Sequence, residues 1–241
     1  MTIYPLLEGF YNVSTKKEFT YLLNEDNIPE EGINMNVCPF LIQTEDDLIL
    51  IDCGFGELKN EKTYLIDKLN SYGFSENDIS IILISHLHKD HINGIGKIKE
   101  DKFECYFPNA KIYIHKNEMN YALEQIPFTY DVDFLNKLKE YNNIVYLEEI
   151  SGKINDVITY KVTGGHVPFQ QVFWLEEDCE IAFFGADNLP QLRYLKYHAA
   201  FKNDIDGVKA MEDRIEWEKQ ATENHWTVLF YHGKRTLMKK F

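Results

Sequence analysis

The sequence lacks an apolar segment long enough to cross a bilayer. Its first residues, MTIYPLLEGFYNV, have neither the basic flank nor the long apolar stretch of a secretory signal. We therefore expect a cytoplasmic protein with no membrane partner. Cysteine is scarce, since the four cysteines are widely spaced and form no C-x-x-C pair, which excludes a disulfide scaffold. We interpret them as small buried side chains.

Positive charge is also in short supply. The chain has 25 lysines and arginines against 39 aspartates and glutamates, which gives a formal net charge of -14. Such a field repels phosphate backbones, and no basic groove is apparent along the sequence. We therefore predict a small-molecule substrate and no nucleic-acid partner. For the oligomeric state we expect a monomer or homodimer.

What the sequence does contain is a series of short apolar runs with strand character, separated by helical patterns. No repeat or linker-like change of composition divides the 241 residues, so we predict one domain, 1–241. The order of elements favours an α/β or α+β sandwich with helices outside two sheets over a doubly wound parallel sheet. The apolar runs are 40–42, 48–51, 81–84, 112–114, 144–147, 158–162, 172–175, 181–184 and 228–230. The predicted helices are 60–73 with Asn60 as its cap, 116–124, 133–141, and 203–224 with an apolar core stripe of Val208, Met211 and Ile215.

The segment Ser85–His91, SHLHKDH, contains three of the eight histidines and directly follows an apolar run. In an extended segment, side chains two positions apart point the same way, so His86 and His88 can converge on one ion. Asp90 and His91 then point toward a second ion. Imidazole and carboxylate are ligands that zinc and similar divalent ions accept. The spacing alone also fits a site for a single ion.

Three further ligand-type residues each follow an apolar strand pattern. His166 comes after two glycines, Asp187 follows Gly-Ala, and His232 precedes a glycine. A lone histidine or aspartate in such a position is more often a core residue, a turn former or a helix cap. Together with the first cluster, these three residues indicate a completed metal site.

The joint pattern consists of H-x-H-x-D-H at 86–91, Gly-Gly-His ending at His166, Gly-Ala-Asp ending at Asp187, and His232 after a C-terminal strand. An early aspartate-glycine motif, Asp52-Cys53-Gly54, accompanies it. This pattern resembles the ligand series of the metallo-β-lactamase superfamily along nearly the whole chain. The resemblance implies a four-layer αββα sandwich that holds two ions in the cleft between its sheet edges.

The resemblance also implies which residues bind metal. It assigns one set of ligands to each ion and one carboxylate between them: His86, His88 and His166 for the first ion, Asp90, His91 and His232 for the second, and Asp187 as the bridge. Asp52 resembles the carboxylate that orients a ligand histidine. We expect two divalent ions per chain, zinc in the first instance, with iron and manganese as alternatives.

Two divalent ions about 3.5–4 Å apart can share a water and lower its pKa, so that a bridging hydroxide attacks an electrophile. We therefore predict a metal-dependent hydrolase that acts on a small ester, lactone or thioester. Asp90 is the predicted catalytic residue, because it can pass a proton to the leaving group. Tyr194 and Tyr197 could donate to an oxyanion, with packing as the alternative for both, and His198 is interpreted as a surface or packing residue.

A phosphodiesterase or nuclease of the same superfamily is one alternative, although the acidic balance opposes it. An iron oxidoreductase of this scaffold is another. A non-catalytic metal-binding protein is the third, and it is disfavoured because structural zinc sites are usually rich in cysteine. Acyl-homoserine lactonases carry a tyrosine three residues after the bridging aspartate, where this chain has Pro190. That difference argues against a lactonase unless Tyr194 occupies the same space.

Aromatic residues in predicted loops could line an apolar substrate pocket, although aromatic residues are more often found in the core. The candidates are Phe55, Phe128, Tyr130, Phe169 and Trp174.

Overall fold

Two six-stranded sheets form the centre of the computed structural model, which describes residues 1–15, 18–22, 29, 31–59, 62–125 and 128–241. The strands, in chain order, are β1 (Thr2–Pro5), β2 (Gly9–Val13), β3 (Phe19–Leu22), β4 (Ile33–Val37), β5 (Phe40–Gln43), β6 (Leu48–Ile51), β7 (Leu58–Lys59), β8 (Lys62–Thr63), β9 (Ile81–Leu83), β10 (Gly96–Lys99), β11 (Lys102–Cys105), β12 (Lys111–His115), β13 (Ile144–Leu147), β14 (Ser151–Lys153), β15 (Ile158–Val162), β16 (Gln171–Glu177), β17 (Glu180–Phe184), β18 (Thr227–Leu229) and β19 (Met238–Lys240). The α-helices are α1 (Tyr64–Ser71), α2 (Lys89–Ile92), α3 (Lys116–Leu123), α4 (Val132–Leu138), α5 (Arg193–Lys196) and α6 (Gly207–Glu223).

The strand order determines which strand ends meet. The first sheet runs β1-β5-β6-β9-β12-β13, and its strands from β6 to β13 are parallel. The second sheet runs β14-β15-β16-β17-β18-β19 and is antiparallel apart from the β17–β18 pair. The carboxyl ends of β6 and β9 therefore lie at one edge of the first sheet. Those of β15, β17 and β18 lie together at one edge of the second.

The core lies in three apolar layers. Alternation along β6 sends Ile49 and Ile51 toward the second sheet, where Phe173 and Phe184 belong to the same buried cluster, and sends Leu50 toward the opposite face. That opposite face packs against α1, α3 and α4, while the outer face of the second sheet packs against α6. The layer order is helix, sheet, sheet, helix, which confirms the predicted αββα sandwich.

Each of the nine apolar runs overlaps a strand of the structure. The predicted helices are present but shorter than expected at one or both ends. Asn60, the predicted cap of the first helix, lies outside the described residues. Thr63 caps α1 instead, because its Oγ1 accepts a hydrogen bond from the Ile66 N–H at 3.2 Å.

The apolar stripe predicted for the late helix is wrong. Val208 and Ile215 are 55% and 42% exposed, and α6 buries a different face, formed by Ala210, Arg214, Trp217 and Ala221. Arg214 tolerates burial because its guanidinium donates to the carbonyl oxygens of Asn188 at 2.8 Å and Ala199 at 2.7 Å. A charged residue therefore belongs to the buried face of α6.

A smaller three-stranded sheet in the order β3-β2-β4 lies in the chain between β1 and β5 of the first sheet. These strands contain no continuous apolar run and were not predicted. In β4, for example, apolar and polar residues alternate, as in Ile33-Asn34-Met35-Asn36. Within the described residues, no helix combines the length and the hydropathy that crossing a bilayer would require.

Candidate dinuclear metal centre

All seven predicted metal ligands converge in one cleft where the two sheets present their strand ends. Their side chains form three overlapping groups whose ligand atoms lie within 4.8 Å of one another: His86, His88 and His166; His86, His91 and Asp187; and Asp90, His91 and His232. Residues that are up to 146 positions apart in the sequence are thus neighbours, because each follows a strand that ends at this cleft.

The segment after β9 delivers four of these side chains. His86 and His88 lie in the extended part, with His86 Nε2 and His88 Nδ1 3.0 Å apart. The chain then turns into the short helix α2, which includes Asp90 and His91 and gives both a different direction from the first pair. The predicted division of the motif between two ions agrees with this change from extended to helical backbone.

The first group of imidazoles is completed by the second sheet. His166 follows β15, and its Nε2 lies 3.3 Å from His88 Nδ1. The turn that presents His166 is held by Asn188, whose Oδ1 accepts from the His166 N–H at 2.8 Å. Gly165 has a φ of +90°, and a Cβ there would lie 2.6 Å from Asn188 Oδ1, so both the turn and the packing require glycine.

The second group joins α2 to the residue that follows β18. The Oδ2 atom of Asp90 lies 3.7 Å from His91 Nε2 and 3.5 Å from His232 Nε2. Tyr231 supports this arrangement, because its hydroxyl donates to the Asp90 carbonyl oxygen at 2.6 Å and its ring stacks on His91 at 4.1 Å.

Asp187 stands between the two groups. Its Oδ1 lies 3.4 Å from His91 Nε2 and 3.1 Å from His232 Nε2, whereas its Oδ2 lies 3.5 Å from His166 Nε2. One carboxylate oxygen thus faces each group of imidazoles. This is the geometry that a bridging ligand needs.

Four histidines have a partner on the nitrogen that faces away from the cleft. The pairs are His91 Nδ1 with Asp52 Oδ2 at 2.8 Å, His166 Nδ1 with Asp204 Oδ1 at 3.1 Å, His232 Nδ1 with the Asn36 carbonyl oxygen at 2.7 Å, and His86 Nδ1 with Ser85 Oγ at 3.0 Å. Such partners fix the tautomer and leave Nε2 free to bind a metal. Asp52 was predicted for this role, whereas the sequence offered no signal for Asp204 or Asn36.

The buried polar atoms of the cleft fit a pair of cations. Among the described residues, His91 Nε2, His232 Nε2 and Asp187 Oδ1 are buried without a hydrogen-bond partner. Leaving such atoms unpaired is costly, and a bound cation satisfies all three. Nitrogen and carboxylate oxygen donors of this kind suit zinc, iron or manganese.

The electrostatic environment of the cleft shifts the pKa values of His86 and His91 in opposite directions. Burial, with the neighbouring imidazoles, holds the pKa of His86 well below its ordinary value. Burial also opposes charge on His91, but Asp90 and Asp187 outweigh it and raise the pKa of that imidazole well above its ordinary value. In the metal-free protein, a proton on His91 thus partly balances the carboxylates that a metal would otherwise neutralise.

A cavity of about 270 Å³ opens onto this cleft and is lined by His88, Asp90, His166, Asp187 and His232. Tyr194 also lines it, together with Pro190, whereas Tyr197 is 65% exposed and His198 lies at the surface beside Glu218. One wall of this cavity is apolar. The wall comes from Val13, Phe19, Ile33 and Met35 of the small sheet and from Phe201, and it includes none of the five predicted aromatic residues.

The model of the Metallo-beta-lactamase superfamily matches residues 37–232. The chain belongs to this superfamily. The resemblance inferred from its metal-ligand pattern is therefore confirmed.

The chain has low sequence identity to individual members of the superfamily. N-acyl homoserine lactonase AiiA of Bacillus thuringiensis subsp. kurstaki is 24% identical, and the match covers 65% of this chain and 64% of the lactonase. An N-acyl homoserine lactonase of Bacillus thuringiensis subsp. indiana matches with the same identity and coverage. This chain therefore matches a little less than two thirds of these relatives' length.

Solved structures agree on the fold. A probable metal-dependent hydrolase from Staphylococcus aureus superposes with a TM-score of 0.81 at 20% identity, covering 99% of this chain and 91% of that one. AidC, a dizinc quorum-quenching lactonase solved with the product N-hexanoyl-L-homoserine, gives 0.76 at 20% identity, with 99% and 89% covered. The hydrolase AbOPH gives 0.73 at 22% identity, with the same coverage.

Proposed function

We propose that this protein is a dinuclear metal-dependent hydrolase that opens a lactone or cleaves another small ester or thioester. The observation that carries the proposal is Asp187, whose two carboxylate oxygens face two different groups of imidazoles. A site for one ion would need only one of these groups. Two adjacent groups with a shared carboxylate are typical of hydrolases that activate water between two ions.

The ligand assignment follows the two groups. We assign His86, His88 and His166 to the first ion, Asp90, His91 and His232 to the second, and Asp187 to both. When bound, such ions lower the pKa of a water molecule and polarise the carbonyl oxygen of the substrate. The protein keeps the imidazoles in the required tautomers through partners such as Asp52 and Asp204.

We assign proton transfer to Asp90. Its contacts to His91 and His232 both use Oδ2, so Oδ1 can accept a proton from the attacking water and pass it to the leaving oxygen or sulfur. Asp90 also lines the substrate cavity, which puts the group in reach of the reacting atoms. Tyr194 lines the same cavity, and we assign its hydroxyl to donate a hydrogen bond to the oxyanion that forms on the substrate carbonyl.

The substrate class rests on the cavity and on the relatives. Apolar side chains of the small sheet line one wall, while the metal ligands line the other, which suits a small ester with an apolar acyl group. The relatives named as N-acyl homoserine lactonases support a lactone ring as the scissile group. Pro190 replaces the tyrosine of that family, and Tyr194 lines the same cavity beside it.

A substrate panel tests the proposal. Zinc-loaded protein is assayed with neutral lactones, aryl esters and thioesters, and with phosphodiesters as the alternative class. We expect turnover of at least one carbonyl substrate, and we expect Asp187→Asn to lower it by about a hundredfold or more, because the bridge between the ions is weakened. Metal content, measured by mass spectrometry, should fall below two ions per chain in this variant.

Asp156→Asn is the matched control, since Asp156 is exposed and precedes β15, at the opposite end of that strand from His166. It should keep both the turnover and the two ions of the wild type. Failure of the zinc-loaded protein to hydrolyse any carbonyl substrate would refute the proposal. Turnover of phosphodiesters alone would establish the alternative class instead.

A further inference from the structure

A second cavity, of about 390 Å³, lies beside the active-site cavity and shares Gln191 and Arg193 with it. Basic side chains dominate its lining: Arg193, Lys196, Lys234 and Arg235. Among the described residues, no aspartate or glutamate lines this cavity. We call it the basic pocket.

The charge of the basic pocket contrasts with that of the chain. Acidic residues outnumber basic ones by 39 to 25 in the chain. A cavity lined by four cations and, among the described residues, by no carboxylate is therefore unexpected from the composition. In the described part of the chain, none of the four cations forms an ion pair, although other lysines such as Lys116 and Lys137 do. All four side chains are exposed, so water and salt screen their mutual repulsion, and an anion placed between them would be attracted by all four.

The backbone that carries these cations is tied to the metal centre. Lys234 and Arg235 follow His232, whose N–H donates to the Pro190 carbonyl oxygen at 3.0 Å. The Asn36 side-chain amide donates to the Gly233 carbonyl oxygen at 2.6 Å and so fastens the start of this segment. The backbone is therefore fixed directly before Lys234 and Arg235, next to a proposed metal ligand.

We propose that the basic pocket is a binding subsite for an oxyanion, a carboxylate or phosphate group carried by the substrate. The proposal rests on the proposed function, because the scissile ester would lie at the metal centre while the anionic end reaches past Gln191 and Arg193. Arginine binds carboxylate and phosphate through two parallel N–H donors, and lysine adds a compact charge. The substrate would thus be a small ester or lactone with a negatively charged group at its far end.

Equilibrium binding tests the subsite without turnover. Inorganic phosphate is titrated calorimetrically into the zinc-loaded protein and into the variant Lys196→Gln/Lys234→Gln/Arg235→Gln. In water, each exposed cation in contact with an anion contributes a factor of about five, so removing three should weaken phosphate binding about tenfold or more, even after screening by salt. The matched control is Lys99→Gln/Lys102→Gln/Lys111→Gln, which changes the net charge equally at residues that line neither cavity.

Kinetics then test the link to the substrate. Mono-para-nitrophenyl esters of dicarboxylic acids of increasing chain length are compared with the matching neutral esters. We expect kcat/KM to favour the anionic ester at one chain length, and we expect this preference to fall about tenfold in the basic-pocket variant but not in the lysine control. The preference should also decrease as ionic strength rises.

The outcomes separate the two proposals. Equal phosphate affinity of the wild type and the basic-pocket variant would refute the subsite. The subsite would also be refuted if neutral esters are hydrolysed and a terminal carboxylate raises kcat/KM at no chain length. In both cases the proposed hydrolase activity would stand. If no ester is hydrolysed but phosphate binding is lost only in the basic-pocket variant, the anion site stands and the proposed function fails.

Discussion

The substitution Asp52→Asn tests how much the carboxylate that contacts His91 contributes to the affinity for the second metal ion. Asp52 is fully buried, and its Oδ1 accepts from the Ser85 N–H at 2.8 Å. Its Oδ2 accepts from the Ser85 hydroxyl at 2.7 Å and lies 2.8 Å from His91 Nδ1. Asparagine has the same shape and can keep the first of these hydrogen bonds, so the fold should survive the change.

The expected effect follows from the tautomer of His91. An amide nitrogen in the place of Oδ2 is a donor, so His91 Nδ1 must become an acceptor and the proton moves to Nε2. Nε2 is the nitrogen that faces Asp90 and Asp187 and would bind the second ion. Changes of such partners typically cost 10- to 100-fold in metal affinity, which corresponds to about 1.4–2.8 kcal/mol.

Competition with a chromophoric chelator measures the two zinc affinities separately. In Asp52→Asn we expect one ion to bind as in the wild type and the other to bind 10- to 100-fold more weakly. Asp47→Asn is the control, because Asp47 lies at the opposite end of β6 and accepts from Ser80 Oγ at 2.8 Å, away from the cleft. Unchanged affinity for both ions in Asp52→Asn would contradict the reasoning.

Two further predictions concern residues around the centre. Burial raises the pKa of Glu118 from 4.5 to about 7; since this folded-state pKa is raised, stability is fully present below about 4.5 and is lost as the pH rises toward 7. Burial raises the pKa of Glu8 to about 7 as well. Urea unfolding of metal-free protein between about pH 5 and pH 8 should therefore show a loss of stability that is smaller in Glu118→Gln than in the wild type, by up to about 3 kcal/mol; an equal loss in the two proteins would contradict the prediction. Tyr194→Phe should lower kcat about a hundredfold at unchanged KM, measured by steady-state kinetics with the exposed Tyr197→Phe as control, and an unaltered kcat would exclude the hydroxyl as an oxyanion donor.

The candidate metal ligands could be predicted from the sequence because each lies in a polar segment that follows an apolar strand. In a sheet, strands that run the same way end at one edge, so a short list of such residues already suggests a common site. Asp187 and His232 were found by this pattern although they lie far from the histidine motif. The same reasoning found the nine strands that carry hydrophobic runs, since burial on both faces leaves a continuous apolar signal.

What the sequence could not predict depends on contacts between distant segments. The basic pocket combines Arg193 and Lys196 with Lys234 and Arg235, which lie about 40 positions later in the chain, so only the fold brings the two basic pairs together. The substrate wall comes from strands with alternating polarity, which hydrophobic runs do not reveal. The buried face of α6 depends on Arg214, whose charge is satisfied by carbonyl oxygens of other segments.

The metal centre is also where the two sheets are joined. His86 and His88 come from the first sheet, and His166 from the second completes their group. The other group joins Asp90 and His91 to His232 in the same way. Each ion would therefore bind to both sheets at once and satisfy buried atoms that otherwise lack partners. Burying these polar atoms without partners is unfavourable, so metal binding would be favoured. The polar residues at these strand ends would therefore contribute to the stability of the sandwich, through the bound metal, as well as to its chemistry.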